Sequence, residues 1–136
     1  MSPYTIIFMG PQGSGKGTQI EKLDAAVRAA YPTARVVTLQ TGRLFRGLAH
    51  KQVSYTERRV SDTIDTGMLQ PDFLTAVLWG EVMVSQLDPM CHLLVDGVPR
   101  TLAQAEMLDD AFRFYERTKV TVVNLVAPDD IARARM

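Results

Sequence analysis

The sequence predicts an α/β fold, an open parallel sheet with helices on both faces in three layers, and three observations predict it. Short β-type runs recur over residues 4–9, 35–39, 92–96 and 120–126. Between them lie longer stretches whose apolar residues repeat at helical spacing. The first run passes directly into a glycine-rich turn that opens a helix. Strands that alternate with helices are joined by crossovers, and crossovers make a parallel sheet.

Each element follows from its own residues. The strand over 4–9 is apolar nearly throughout, as burial on both faces requires. The helix over 15–30 sets Ile20, Leu23, Val27 and Ala30 on one stripe, and Pro32 ends the region. After the strand over 35–39, Thr41-Gly42 opens a helix that carries Leu44, Phe45 and Leu48. A further helix over 54–64 stops at the turn Asp65-Thr66-Gly67. Pro71 starts the next, which runs to 87 and breaks at Asp88-Pro89. Trp79 lies within it and is expected in the core. The third strand, over 92–96, leads through Gly97-Val98-Pro99-Arg100 into a helix over 102–117, whose Phe112, Phe114 and Tyr115 are expected to pack on the sheet. The fourth strand precedes Pro128-Asp129-Asp130, acids that favour the first turn of a last helix. That helix reaches residue 136 with no cap or breaker. The chain is therefore expected to stop inside a longer protein, leaving strand four as an unpaired edge with Val120, Val122, Val123 and Leu125, prone to association.

The chain has 136 residues, enough for one domain with one core. Its formal net charge is zero, so no long-range field draws it to nucleic acid or to a membrane. A single cysteine, Cys91, excludes an intrachain disulfide and suits a reducing, cytoplasmic compartment. Residues 1–3 run straight into a β-type segment without a signal-peptide pattern, and no apolar stretch is long enough to span a bilayer. His50, His92 and Cys91 lack metal-ligand spacing. His92 and Cys91 read as buried packing residues, and Arg58-Arg59 as a solvated face.

The chemistry concentrates where the strands end. Residues Gly10 to Gln19 read GPQGSGKGTQ. Gly10, Gly13 and Gly15 permit a tight turn and a close backbone approach to an anion. Successive N–H groups then form a nest, and the helix behind aims its positive end at the same place. Lys16 adds a mobile cation for the outer phosphates of a nucleoside triphosphate. The spacing fits a phosphate-binding P-loop, with the hydroxyl one residue late, at Thr18, because Gly17 follows the lysine. Asp96 closes the third strand, and ligands in open parallel sheets sit beyond the carboxyl ends of the strands. Loop and carboxylate are thus expected on one edge, with Asp96 acting on Mg²⁺ through its waters rather than as a direct ligand. Arg100, just past Gly97, and Arg46, past Thr41-Gly42, are phosphate-clamp candidates on the same edge.

These segments together resemble the adenylate kinases, within the nucleoside monophosphate kinases of the P-loop NTPase fold. GPQGSGKGTQ is similar to that family's phosphate loop, displaced threonine included. Thr41-Gly42-Arg43-Leu44-Phe45-Arg46 resembles its TG(D/E)xxR segment, and residues Asp65 to Asp72 resemble the stretch closing its monophosphate region. Asp96-Gly97-Val98-Pro99-Arg100-Thr101 resembles DGFPRT, its most specific signature. The resemblance covers the whole chain and implies a single kinase core over 1–136, with a helical monophosphate-binding insertion over 40–70. It implies that Gly13, Ser14, Gly15, Lys16, Gly17 and Thr18 hold ATP phosphates, and that Arg135 packs on the ATP base. It implies an AMP site of Thr41, Arg46, Met68, Leu69, Gln70, Gly97, Val98, Pro99, Arg100 and Gln104. An amide donates and accepts, so Gln104 can pair with both the ring nitrogen and the amino group of adenine. Lys16, Arg100 and Asp96 are the implied catalytic set, with MgATP and AMP as substrates and ADP as product. A UMP or CMP kinase, or a nucleotide-binding core of weak turnover, are the alternatives. The family's lid and final strand would begin after residue 136, and full-length members are expected as monomers. Four residues depart from the pattern: Arg43 replaces Asp or Glu, Val98 an aromatic, Gln12 a proline and Met68 a frequent lysine.

Overall fold

The computed structural model describes residues 2–135. Strands β1 (Thr5–Met9), β2 (Val36–Gln40), β3 (His92–Asp96) and β4 (Val120–Asn124) form one parallel sheet in the order β2-β3-β1-β4. The helices are α1 (Lys16–Ala30), α2 (Thr41–Lys51), α3 (Tyr55–Thr63), α4 (Asp72–Gln86), α5 (Leu102–Phe114) and α6 (Asp129–Ala134). The expected three-layer α/β architecture is present, and no described helix is long and apolar enough to cross a membrane.

Strand periodicity divides the core into two layers. Ile7, Val37, Leu39, Leu93 and Val95 point to one face and meet Trp79 and Met83 of α4 and Leu108 and Phe112 of α5. Their neighbours Phe8 and Leu94 point to the other face and meet Ile20 of α1. Successive residues of a strand alternate faces, so a central strand covered by helices on both sides must be apolar at every position. Leu93, Leu94 and Val95 accordingly show no exposed surface. A third apolar cluster, Phe45, Ala49, Val60 and Leu74, ties α2, α3 and α4 together away from the sheet. Ser54 caps α3 in a reciprocal box: its hydroxyl accepts from Glu57 N (3.1 Å) while the Glu57 carboxylate accepts from Ser54 N (3.0 Å).

Several boundaries differ from the sequence reading. The helix expected to reach 117 ends at Phe114, because Glu116 takes a left-handed turn (φ 57°) and Arg117 N reaches back to Phe112 O (2.8 Å). That is a Schellman-type stop made without the glycine that usually announces it. Phe114 is 78% exposed rather than packed on the sheet, since it lies across the helix from the buried Phe112. Ala30 is likewise exposed. Strand β4 ends at Asn124 and forms a sheet edge on which Val120 and Val122 are exposed, while Val123 and Leu125 are half-buried.

The end of the sheet where β1 and β3 begin is sealed. Arg117 is buried there and donates to Thr5 Oγ1 (2.6 Å), Asp88 O (2.8 Å), Tyr4 O (3.1 Å) and Cys91 O. His92 Nδ1 accepts from Tyr4 N (2.9 Å), and its ring stacks on that of Tyr4 with centroids 5.0 Å apart. Cys91 and His92 are both buried, as packing residues should be.

Candidate active site

The opposite end of the sheet opens into a cleft of about 900 Å³. Register explains its position. Asp96 is the last residue of β3 and pairs with Phe8 of β1 and Gln40 of β2. The three strands therefore end side by side, and the segments leaving them converge: the glycine loop after β1, α2 after β2 and Gly97 to Arg100 after β3.

The loop turns sharply enough that only glycine fits at its closest approach. Gly13 has φ 82°, and a Cβ there would land on the Ala132 carbonyl oxygen of α6. Lys16 opens α1, and its ammonium donates to Gly10 O (2.7 Å) and Pro11 O (3.0 Å), leaving one N–H uncommitted at the cleft wall. Gly97 has φ 93°, and a Cβ there would strike the Thr41 hydroxyl. This close approach locks the start of α2 against the end of β3, and Thr41 Oγ1 donates to Asp96 O at 3.4 Å.

Charge in the cleft is uneven. Lys16, Arg43, Arg46 and Arg100 line it, against the carboxylates of Asp96 and Glu21. Arg100 Nε donates to Gly97 O (3.1 Å), which fixes the guanidinium and leaves its terminal fork without a partner among the described residues. Burial pushes the Asp96 carboxyl above its usual range, and the charges of Lys16, Arg100 and Arg46 pull it back only in part. Among the described residues, no group of three or more His, Cys, Asp or Glu side chains converges to hold a metal. Two carboxylates, Asp96 and Glu21, set among four cations would suit a Mg²⁺ ion held mainly by a ligand's oxygens and water.

The structure gathers most of the sequence-predicted residues and separates a few. Lys16, Gly17, Thr41, Arg46, Met68, Leu69, Gln70, Asp96, Gly97, Val98, Pro99, Arg100 and Gln104 all line the cleft. Gly13, Ser14, Gly15, Thr18 and Arg135 do not. Of these, Gly13 and Gly15 face α6 and the residue after it: a Gly13 Cβ would land on Ala132, and an Arg135 Nη atom lies 3.8 Å from the position a Gly15 Cβ would take. Ser14 Oγ is buried beside Gly10 with no hydrogen-bond partner among the described residues. Gln70 Nε2 donates to Thr63 Oγ1 (3.1 Å), bracing the segment that carries Met68 and Leu69.

Sequence reasoning misses Asp72 as a site residue. Its Oδ1 accepts from Gln104 Nε2 (2.9 Å) and from Thr101 Oγ1 (3.0 Å), while Gln104 Oε1 accepts from Arg100 N (2.8 Å). Thr101 also caps α5 by accepting from Gln104 N (3.2 Å). An acid beginning a helix reads as a dipole partner in sequence, and nothing local says that it faces another helix's amide.

The comparisons with known proteins place the chain in a family. The family model described as "Adenylate kinase" matches residues 8–136. A relative named adenylate kinase from Synechococcus sp. (strain JA-2-3B'a(2-13)) is 36% identical over 133 residues, covering 96% of this chain and 63% of the relative. One from Chlamydia abortus is 37% identical over 108 residues, 78% of this chain and 46% of the relative. One from Thermotoga petrophila is 28% identical over 134 residues, 96% and 56% respectively. The chain thus spans less than two thirds of the length of the curated relatives it matches.

Proposed function

This chain belongs to the adenylate kinase family, and from that premise we propose that its cleft serves reversible phosphoryl transfer from MgATP to AMP, giving two ADP. The observation that carries the reading is convergence: Lys16, Arg46, Asp96 and Arg100 come from separate segments and line one cleft with Gln104. Phosphoryl transfer asks for position and charge rather than a covalent nucleophile on the protein. An AMP phosphate oxygen attacks the γ-phosphorus in line. The bond to the β–γ bridging oxygen breaks, and ADP leaves with the electron pair.

In this reading Gly13 to Thr18 cradle the ATP phosphates with their N–H groups, and Lys16 stabilises charge on the moving phosphoryl group. Arg135 packs on the ATP base. Arg46 and Arg100 clamp the acceptor phosphate, Thr41, Met68, Leu69, Gln70 and Gly97 to Pro99 shape its pocket, and Gln104 reads the base. Mg²⁺ bound with ATP supplies neutralising charge on the phosphates, and Asp96 orients its waters. The free, buried Cys91 suits a reducing, cytoplasmic setting.

A nucleotide-binding core of weak turnover is the second reading. Arg43 favours it, because it adds a cation to the cleft where a carboxylate would help order the metal's waters. A UMP or CMP kinase is disfavoured by Gln104. ADP formation by the purified chain with Mg²⁺ and ATP, with and without AMP, separates these. AMP-dependent ADP is the expected result. No ADP from a folded chain that binds ATP favours the weak core, and no ATP binding removes both readings.

A further inference from the structure

Gln104 is 2% exposed, yet it lines the cleft, and its amide is held at both ends. Arg100 N–H can only donate, so it must face Oε1. The Asp72 carboxylate, when ionised, can only accept, so it must face Nε2. The two bonds, at 2.8 and 2.9 Å, therefore permit one orientation of the amide and forbid the flipped one. Flipping would set NH₂ against N–H and C=O against carboxylate, two repulsive contacts in place of two attractive ones. Among the described residues, one N–H and one oxygen lone pair of Gln104 remain uncommitted.

We propose that Asp72 is a positioning residue for base selection. It holds the Gln104 amide in the donor–acceptor order that matches a 6-aminopurine monophosphate and opposes a 6-oxopurine monophosphate. The inference rests on the acceptor-site reading above. A 6-aminopurine offers a ring-nitrogen acceptor beside an amino donor. A 6-oxopurine offers the reverse, a ring N–H donor beside a carbonyl acceptor. An amide free to turn serves both, whereas an amide clamped between Arg100 N and Asp72 serves one. Thr101 completes the device by donating to the same carboxylate oxygen at 3.0 Å, which ties the starts of α4 and α5 together. Specificity here comes from a residue that need not touch the ligand, acting through a half-buried polar network around the buried Gln104 in which each member has a partner.

The test measures the ratio of AMP to IMP affinity of the 136-residue chain by calorimetry, with circular dichroism melts to verify folding. The wild-type chain should prefer AMP. Asp72→Ala and Asp72→Leu should shrink that preference by about tenfold, the worth of one hydrogen bond to a charged acceptor. Asp72→Asn keeps an acceptor oxygen and should restore most of it. A purely structural role for Asp72 would lower the melting temperature of all three and leave the ratio alone, and that result overturns the proposal. A second measurement needs no variant at Asp72. In the wild-type chain, AMP should shift one of the two Gln104 Nε2 proton resonances and leave the Asp72-bound one in place. Both moving, or neither, also overturns it. If the wild-type chain binds neither nucleotide, the acceptor-site reading itself fails. If it binds AMP and the variants keep the wild-type ratio, only this inference fails.

Discussion

At the start of β1 and β3, Arg117 lies buried with its donors placed on the carbonyls of Tyr4, Asp88 and Cys91 and the hydroxyl of Thr5. At the far end of the same two strands, Arg100 makes one bond to Gly97 O, and its fork has no partner among the described residues in an open cleft. Both ends hold a guanidinium, and they use it differently. A guanidinium surrounded by carbonyls satisfies buried backbone and contributes to folding. One with donors left over is available to an anion that is not part of the protein. The contrast separates stability from function along one sheet, a distance of five residues per strand.

If that separation is real, substitutions at the two ends should fail differently. Lys16→Ala should lower AMP-dependent ADP formation by roughly 10²–10³, the cost of losing one preorganised charge partner for a transferring group. Its melting temperature should change little, because two bonds to loop carbonyls at a half-exposed site hold little of the fold. Equal losses of activity and stability would break the comparison. Arg117→Ala should do the reverse. Several buried carbonyls lose their donor together, for a cost of about 3 kcal/mol in urea unfolding. Below its melting transition, nucleotide affinity should stay near that of the wild-type chain.

A finer test sits at Asp96, where the two demands conflict. Burial raises its carboxyl above the ordinary 3.8 despite three nearby cations. For an acid raised in the folded state, the folded form is favoured below the unfolded value, and stability is lost as pH climbs through the folded one. At neutral pH the ionised carboxylate therefore costs stability. Asp96→Asn should melt at a higher temperature than the wild type while losing Mg²⁺-dependent turnover, a trade expected where function demands a buried charge. A lower melting temperature in the variant would mean that the cations already overcompensate.

The open end is legible in the sequence and the sealed end is not, for a physical reason. A phosphate loop needs glycines, a lysine and a hydroxyl within ten consecutive residues, so its geometry is written locally. Asp96 and the helix starts are likewise fixed by the residues immediately before them, and β3 spans the same five residues in sequence and structure. Arg117 draws on Tyr4, Thr5, Asp88 and Cys91, partners up to 113 positions away. Only the strand order β2-β3-β1-β4 brings these together. Asp72 is hidden in the same way, since Gln104 lies 32 residues on. Phe114 shows the limit of composition: an aromatic on a core helix points outward when its neighbour Phe112 already faces in.

The smallest expected effect sharpens the sealed end itself. His92 Nδ1 accepts from Tyr4 N, so the ring is neutral with its proton on Nε2, and that N–H is buried without a partner among the described residues. The groups around it are the phenols of Tyr4 and Tyr31, which pack on the ring, and the guanidinium of Arg117. Burial first, and the Arg117 charge second, push the imidazole below its usual 6.5. Protonation would force a donor against Tyr4 N–H beside a fixed positive charge. Above 6.5 both folded and unfolded states hold a neutral ring and the contribution is complete. As pH falls through 6.5 the unfolded chain takes the proton first, and stability drains until the folded value is reached. Melts between about pH 7.5 and 5.5 should therefore show a falling melting temperature that His92→Gln, which keeps an acceptor for Tyr4 N but cannot titrate, flattens. Asp88 and Glu57 are held below the ordinary carboxylate range by backbone N–H donors, so their contributions fade only at lower pH, and the raised Asp96 carboxyl acts in the opposite sense, adding stability as pH falls. A slope that survives in His92→Gln would place the titrating group elsewhere and leave the sealed end insensitive to acid. A slope that vanishes, with nucleotide affinity unchanged over the same range, would show that the two ends of the sheet respond to protons independently.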